Sequence, residues 1–346
     1  MKKTPVFTLK ILKSNFLIYT LFFIATVLTT YLFCSYPLKI NLNQKYVHKI
    51  LLNNIAFSEK MSPGKFSCAF FEITVAKSEK IEKEKKPLIS DYSSNITTVK
   101  TLASSLVKVN NRTPAMVEAS TLEKNAPAFL SGQTEILIVH THGTESYTPS
   151  EKYAYTPTDT DRTQDKNFNV IAVGNEIEKT LKENGHTVYH DETLNDYPSY
   201  NGSYNRSSEI VSSYIQKHPS IKIVLDIHRD AIEAKDGSKV KPISEIDGKD
   251  AASIMFVIGS NQSGLKHDGW QNNLAFAYLL QKHTENLYKG LCKPINMRNE
   301  RFNQHLAPGA IIVEVGTNGN TLDEALLSAN YFAKSLSSFI KSYSSQ

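Results

Sequence analysis

The segment Glu135-Ile-Leu-Ile-Val-His-Thr-His-Gly-Thr-Glu145 ends an apolar run with two histidines, His140 and His142. Imidazole is the commonest side-chain metal ligand and a general acid or base near neutral pH. Residues 136–139 read as a short buried strand closed by a turn at Gly143. Residues two apart on a strand share a face, so both imidazoles are expected to point the same way. A second apolar strand, Ile221-Lys-Ile-Val-Leu-Asp-Ile-His-Arg-Asp230, ends in His228. A third, Ala310-Ile-Ile-Val-Glu-Val-Gly316, carries Glu314. Three apolar strands that each deliver a ligand-type side chain at one sheet edge predict a metal hydrolase site. Zinc centres that do chemistry take three protein ligands from His, Glu or Asp and leave a fourth position for water. They usually add a separate carboxylate to carry protons.

Most single histidines are packing residues, and His48, His186, His190, His218, His267 and His283 are read that way. His142 and His228 differ because each closes an independent strand near a carboxylate: Glu145 for the first, Asp226 or Asp230 for the second. The three cysteines, Cys34, Cys68 and Cys292, are widely spaced and form no Cys-x-x-Cys pair. Neither a disulfide framework nor a thiolate zinc site is indicated, so any metal must be held by imidazole and carboxylate.

The elements that position these groups follow from periodicity. From residue 131 onward, apolar strands alternate with amphipathic helices. Helices are expected over 167–184, 207–217, 270–288 and 322–343, with further strands over 186–190 and 251–259. Alternation of this kind predicts an α/β fold: a mainly parallel sheet with helices on both faces, and a site at the strands' carboxyl ends.

Upstream the composition changes. Lys2, Lys3, Lys10 and Lys13 precede an uncharged, largely apolar stretch over 14–38. About 20 apolar residues cross a bilayer, and leading lysines keep the N-terminus cytoplasmic. We expect a signal-anchor within residues 1–43, with the remainder on the extracytoplasmic side of the cell membrane. Residues 44–130 are expected to be a stalk or tether, because 77–86 is a charge run and 87–127 is rich in Ser, Thr, Asn and Ala. Residues 131–346 are then the catalytic domain. A net charge of +5 is too small to argue for nucleic acid.

Four ordered segments carry a family resemblance: His140-Thr-His-Gly-Thr-Glu-Ser-Tyr147, Asp226-Ile-His-Arg-Asp230, Arg301-Phe-Asn-Gln-His305 and Val313-Glu-Val-Gly-Thr-Asn-Gly-Asn-Thr-Leu-Asp-Glu-Ala325. Together they resemble stage II sporulation protein P, a membrane-anchored peptidoglycan hydrolase family related to zinc-dependent N-acetylmuramoyl-L-alanine amidases. The resemblance implies an amidase-like fold with Zn²⁺ as cofactor and His142 and His228 as ligands. Asp165, ahead of Asn167 and Asn169, stands where that pattern has its second ligand; Glu145 is the competing carboxylate. Glu314 corresponds to the general base. His140 and Arg229 would steady the oxyanion or an outer carboxylate, and Asn303 and Gln304 would bind substrate amides or cap a turn. The implied partners are peptidoglycan and sporulation proteins D and M at the engulfing septum, and the implied activity extends to peptide cross-links. The rival readings are a zinc carboxypeptidase on stem peptides and a non-catalytic wall-binding scaffold.

Overall fold

The structure is a computed structural model that describes residues 96–101, 107–125, 127–158 and 160–344. The expected membrane anchor lies outside the described residues, and among those residues no helix is long and apolar enough to cross a membrane.

Strands β3 (Glu135–Val139), β5 (Ile221–Asp230) and β10 (Gly309–Thr317) are the three apolar runs seen in the sequence. They lie side by side in a seven-stranded sheet. The others are β2 (Val109–Asn111), β4 (Val188–His190), β8 (Ile254–Ile258) and β9 (Ile295–Met297). Their order is β2-β9-β8-β10-β5-β3-β4. Every neighbouring pair is parallel except β8 with β10. The reversal has a chain-path cause. Between β5 and β8 the chain makes no crossover helix; it forms β6 (Lys239–Ile246) and β7 (Lys249–Ala252) instead. Without a crossover, β8 starts from the edge where β5 ended and must run back. The sheet is therefore two parallel blocks of opposite sense rather than one.

Alternation along β5 divides its side chains between two layers. Ile223, Leu225 and Ile227 enter the main core with Ile136, Ile138, Ile311 and Val313. Helices α2 (Val170–Glu183), α4 (Trp270–Leu287) and α5 (Leu322–Ser344) cover that face. Val224 turns the other way and joins Leu137, Val139 and Ala310 beneath Val211 of α3 (Ser203–Lys217). Burying side chains of this size stabilises by about 1.5–3 kcal/mol each. Helix α3 packs mainly on β3, β5 and the 304–306 turn, and the same sheet face farther along, at Ile312, Glu314, Met255, Val257 and Asn296, lines the cleft described below.

The sequence reading treats 87–127 as tether, but part of that stretch is folded. β1 (Ile96–Lys100) pairs with β6, β2 pairs with β9, and α1 (Ala119–Lys124) buries Leu122. The polar composition hides the few anchors that matter, Val109, Leu122 and Leu130. The single predicted strand at 251–259 is also divided at Ser253: β7 belongs to the three-stranded β1-β6-β7 sheet and β8 to the large one.

Candidate active site

β5 presents Asp226 and His228 on the face away from the main core, and β10 places Glu314 in register beside His228. The third contribution comes from the turn after β3. His140 keeps the phase of Ile136 and Ile138 and is buried beneath α2. There its Nδ1 lies 3.1 Å from the Ile227 carbonyl and its Nε2 lies 2.8 Å from His190 Nε2. A Cβ on Gly174 would meet both rings at 2.7–2.8 Å, so α2 approaches this closely only because position 174 has no side chain.

The expectation that His140 and His142 share a face is therefore corrected. β3 ends at Val139, and a turn over 141–144 carries His142 to the opposite side. Asp226 fixes that turn: it accepts from the Thr141 backbone N–H at 2.8 Å and the Thr141 hydroxyl at 2.6 Å. His142 stacks on Tyr200 (centroids 4.4 Å, planes 11° apart) and meets His228 edge-on at 5.2 Å.

Glu145, at the end of the same turn, lies beside His228, with its Oε2 3.5 Å from Nδ1. The same oxygen accepts from the Arg229 backbone N–H at 3.1 Å. Arg162 spans Glu145 and Asp196 at 3.5 and 2.5 Å, and Asp196 in turn holds the Thr144 backbone and hydroxyl. Asp165 is not brought to the site. It lies on an exposed loop, where its carboxylate accepts from the Asn167 backbone and side-chain amides. That Asx turn leads into α2, whose first turn is capped by Asn169. The Asp-x-Asn pattern thus serves a helix start, and of the two competing carboxylates Glu145 is the one beside the histidines.

Of its two expected roles, Arg229 takes the carboxylate one: its backbone amide and its charge both act on Glu145. Its guanidinium donates to the carbonyls of Ser146, Thr160 and Asp161 and so straps the 146–161 loop. Its donors are spent on backbone; its part at the site is to present its amide to Glu145. Asn303 donates to the Tyr204 carbonyl and the Ser207 hydroxyl, while Gln304 ties Gly259 to Val257. Both are structural tethers.

These groups open on a cleft of about 720 Å³. Tyr200, Tyr204 and Phe302 form an aromatic wall, Arg162 and Asp196 close one side, and Met255, Val257, Asn296 and Arg298 line the far end. Tyr200, Arg162 and Asp196 sit in polar loops whose lack of periodicity gives no signal in the sequence. Asp226 was legible: an Asp-x-His pair on a strand puts a carboxylate on the imidazole's face. Its Oδ1 is 2.9 Å from His228 Nε2, an ion-pair contact.

The electrostatics follow from burial. Burial lowers the His142 imidazole to about 4, and the nearby His228 adds to this, so His142 is neutral and free to ligate. Burial also opposes charge on His228, yet Asp226 and Glu145 outweigh it and hold its pKa well above the ordinary value. Glu145 would be raised by burial, but His228, Arg229 and His142 bring it down to about 2. Glu314 lacks such compensation: burial, reinforced by Glu145 and Asp230, pushes its carboxyl up to about 8 despite His228 and Arg229.

The residues fit a zinc ion in donor type and in one spacing. His142 Nδ1 and Glu314 Oε2 are buried without a hydrogen-bond partner, a costly condition that a ligand would relieve, while His228 Nε2 is held by Asp226 and leaves Nδ1 toward Glu145. Two donors on a tetrahedral zinc at about 2.0–2.1 Å stand roughly 3.4 Å apart, close to the 3.5 Å between Glu145 Oε2 and His228 Nδ1. Among the described residues no three donors are already closed around one point.

A family model of stage II sporulation protein P matches residues 59–337. The stage II sporulation protein P of Bacillus subtilis (strain 168) is 28% identical over 225 residues, covering 62% of this chain and 53% of its own. The chain thus spans about half the length of that curated relative. Among solved structures, the CwlD amidase from Clostridioides difficile, in complex with the GerS lipoprotein, is similar at a TM-score of 0.37. It shares 13% identity over 62% of this chain and 99% of its own. The N-acetylmuramyl-L-alanine amidase Ami1 from Mycobacterium smegmatis is similar at 0.36, with 11% identity over 62% of this chain and 99% of its own.

Proposed function

The chain belongs to the stage II sporulation protein P family, and from that premise we propose that it is a peptidoglycan hydrolase. The bond cut is the amide joining the lactyl group of N-acetylmuramic acid to L-alanine. The observation that carries this reading is the convergence of His142, Glu145, His228 and Glu314 on one cleft. Zinc held by His142, Glu145 and His228 would, when bound, supply a Lewis acid that polarises the scissile carbonyl and makes water more acidic.

The chain's own residues divide the remaining work. Glu314 takes the proton of the attacking water on its Oε2 as the new C–O bond forms. It then returns that proton to the L-alanine nitrogen as the C–N bond breaks. Burial raises the proton affinity of this carboxyl, which favours holding the proton between its uptake from water and its transfer to nitrogen. Asp226 orients His228 from behind and fixes the Thr141 turn that presents His142. Tyr200 holds the His142 ring by stacking. Arg162 lies beside Glu145 and helps hold that carboxylate in place.

In this reading the protein is held to the cell membrane by residues 14–38 and works on the extracytoplasmic side, in septal wall thinning during engulfment. Sporulation proteins D and M are its proposed partners. Glu314→Gln tests the assignment. It should reduce release of free stem peptide from purified sacculi by about 10²–10⁴-fold, with zinc content and melting temperature retained. A fully active Glu314→Gln protein refutes the general-base role.

A further inference from the structure

The cleft extends well past Glu314, onto the open sheet face of β10, β8 and β9. Register sets the path. Glu314 stands opposite Met255, Ile312 opposite Val257, and Val257 opposite Asn296. Asn296 is thus two strands across and two residues back from Glu314, roughly 12 Å between Cα atoms at ordinary strand spacings. An extended peptide of three or four residues covers that distance. Met255 and Val257 form an apolar floor between the two points.

Two polar groups at the far end lack full partners. Asn296 Oδ1 is buried with no donor to satisfy it. Arg298, two residues on, lines the same end of the cleft. The other cations around the cleft are engaged. Arg162 pairs with Asp196 and Glu145, Lys293 with Asp230 and Lys239 with Asp161, and Arg229 is spent on backbone carbonyls. Among the described residues Arg298 pairs with Glu300 alone, 3.4 Å from its Nε, and that pair is 38% and 54% exposed. Such a surface pair contributes little, so the guanidinium fork is available to another carboxylate.

We propose that Asn296 and Arg298 form a subsite for a carboxylate carried by the substrate's peptide, three or four residues beyond the bond that is cut. Arg298 binds the carboxylate and the Asn296 carbonyl accepts a peptide N–H. This rests on the hydrolase reading above and adds to it a preference for acidic over amidated stem peptides.

The test uses the full-length chain and two purified muropeptides that differ only in whether the stem carboxylates are free or amidated. Wild-type protein should cut the free-acid form with the higher kcat/KM. Arg298→Gln should reduce that preference about tenfold, as expected for loss of a charge-assisted hydrogen bond, with the loss in KM rather than kcat. Arg298→Lys, which keeps the charge without the fork, should restore part of it. Asn296→Ala should raise KM for both forms. An Arg298→Gln protein with an unchanged preference overturns the subsite, even though hydrolysis persists. If wild-type protein cuts neither form, the hydrolase reading itself falls.

Discussion

Asp226 is the residue on which the geometry of the site most depends, and Asp226→Asn isolates its role. The buried carboxylate accepts from the Thr141 backbone and hydroxyl at 2.8 and 2.6 Å and contacts His228 at 2.9 Å. Asparagine keeps the volume but replaces one accepting oxygen with a donor and removes the charge. At least one of the three contacts is lost or must reverse its donor and acceptor, and the remaining hydrogen bonds lose their ionic character. Hydrogen bonds to charged groups contribute about 1.5–3 kcal/mol each, and a buried donor left unpaired adds its own cost. We expect a destabilisation of about 2–4 kcal/mol, which for a domain of this size lowers Tm by about 5–15 °C. The same change loosens both His142 and His228, so sacculus clearing should fall about 10–100-fold. Calorimetric melting of wild type, Asp226→Asn, Thr141→Val and the double variant completes a cycle that isolates the Thr141–Asp226 coupling. A single variant that melts within about 2 °C of wild type, with coupling near zero and activity intact, refutes the reasoning.

Other outcomes follow from the same geometry. Glu145→Ala should abolish zinc retention through dialysis, whereas Asp165→Ala should leave zinc content at the wild-type level; plasma emission on both proteins decides between the two carboxylates. Gly174→Ala should destabilise despite the better helix propensity of alanine. The new methyl meets His140 and His190 at 2.7–2.8 Å, and overpacking of about 1–3 kcal/mol outweighs a gain of about 1 kcal/mol; a raised Tm would contradict it. Removing residues before 131 should leave a poorly soluble protein, because it strips β2 from β9 and Leu122 and Leu130 from the core. A start at 107 should express as a folded domain, and limited proteolysis compares the two.

Apolar runs and their alternation made β3, β5, β10 and four of the helices legible in the sequence, because burial on a sheet face or a helix stripe demands a period. The same rule placed His228, Glu314 and Asp226 together on one side of β5 and β10, as a period of two requires. The sequence also carried the family's ordered motifs. It did not decide where β3 ends. Whether His142 follows His140 beneath α2 or crosses to the cleft depends on the hydrogen bonds that Asp226, 85 residues away, makes to Thr141. It did not separate Glu145 from Asp165, since both are carboxylates in the polar stretch between β3 and α2 and only packing against Arg229 and His228 distinguishes them. Strand direction in the β8–β9–β2 block, the folded pieces of 96–131 and the unpartnered end of the cleft at Asn296 and Arg298 are likewise long-range facts. Local periodicity reports which face of an element is buried; partners remote in the chain decide what that face meets.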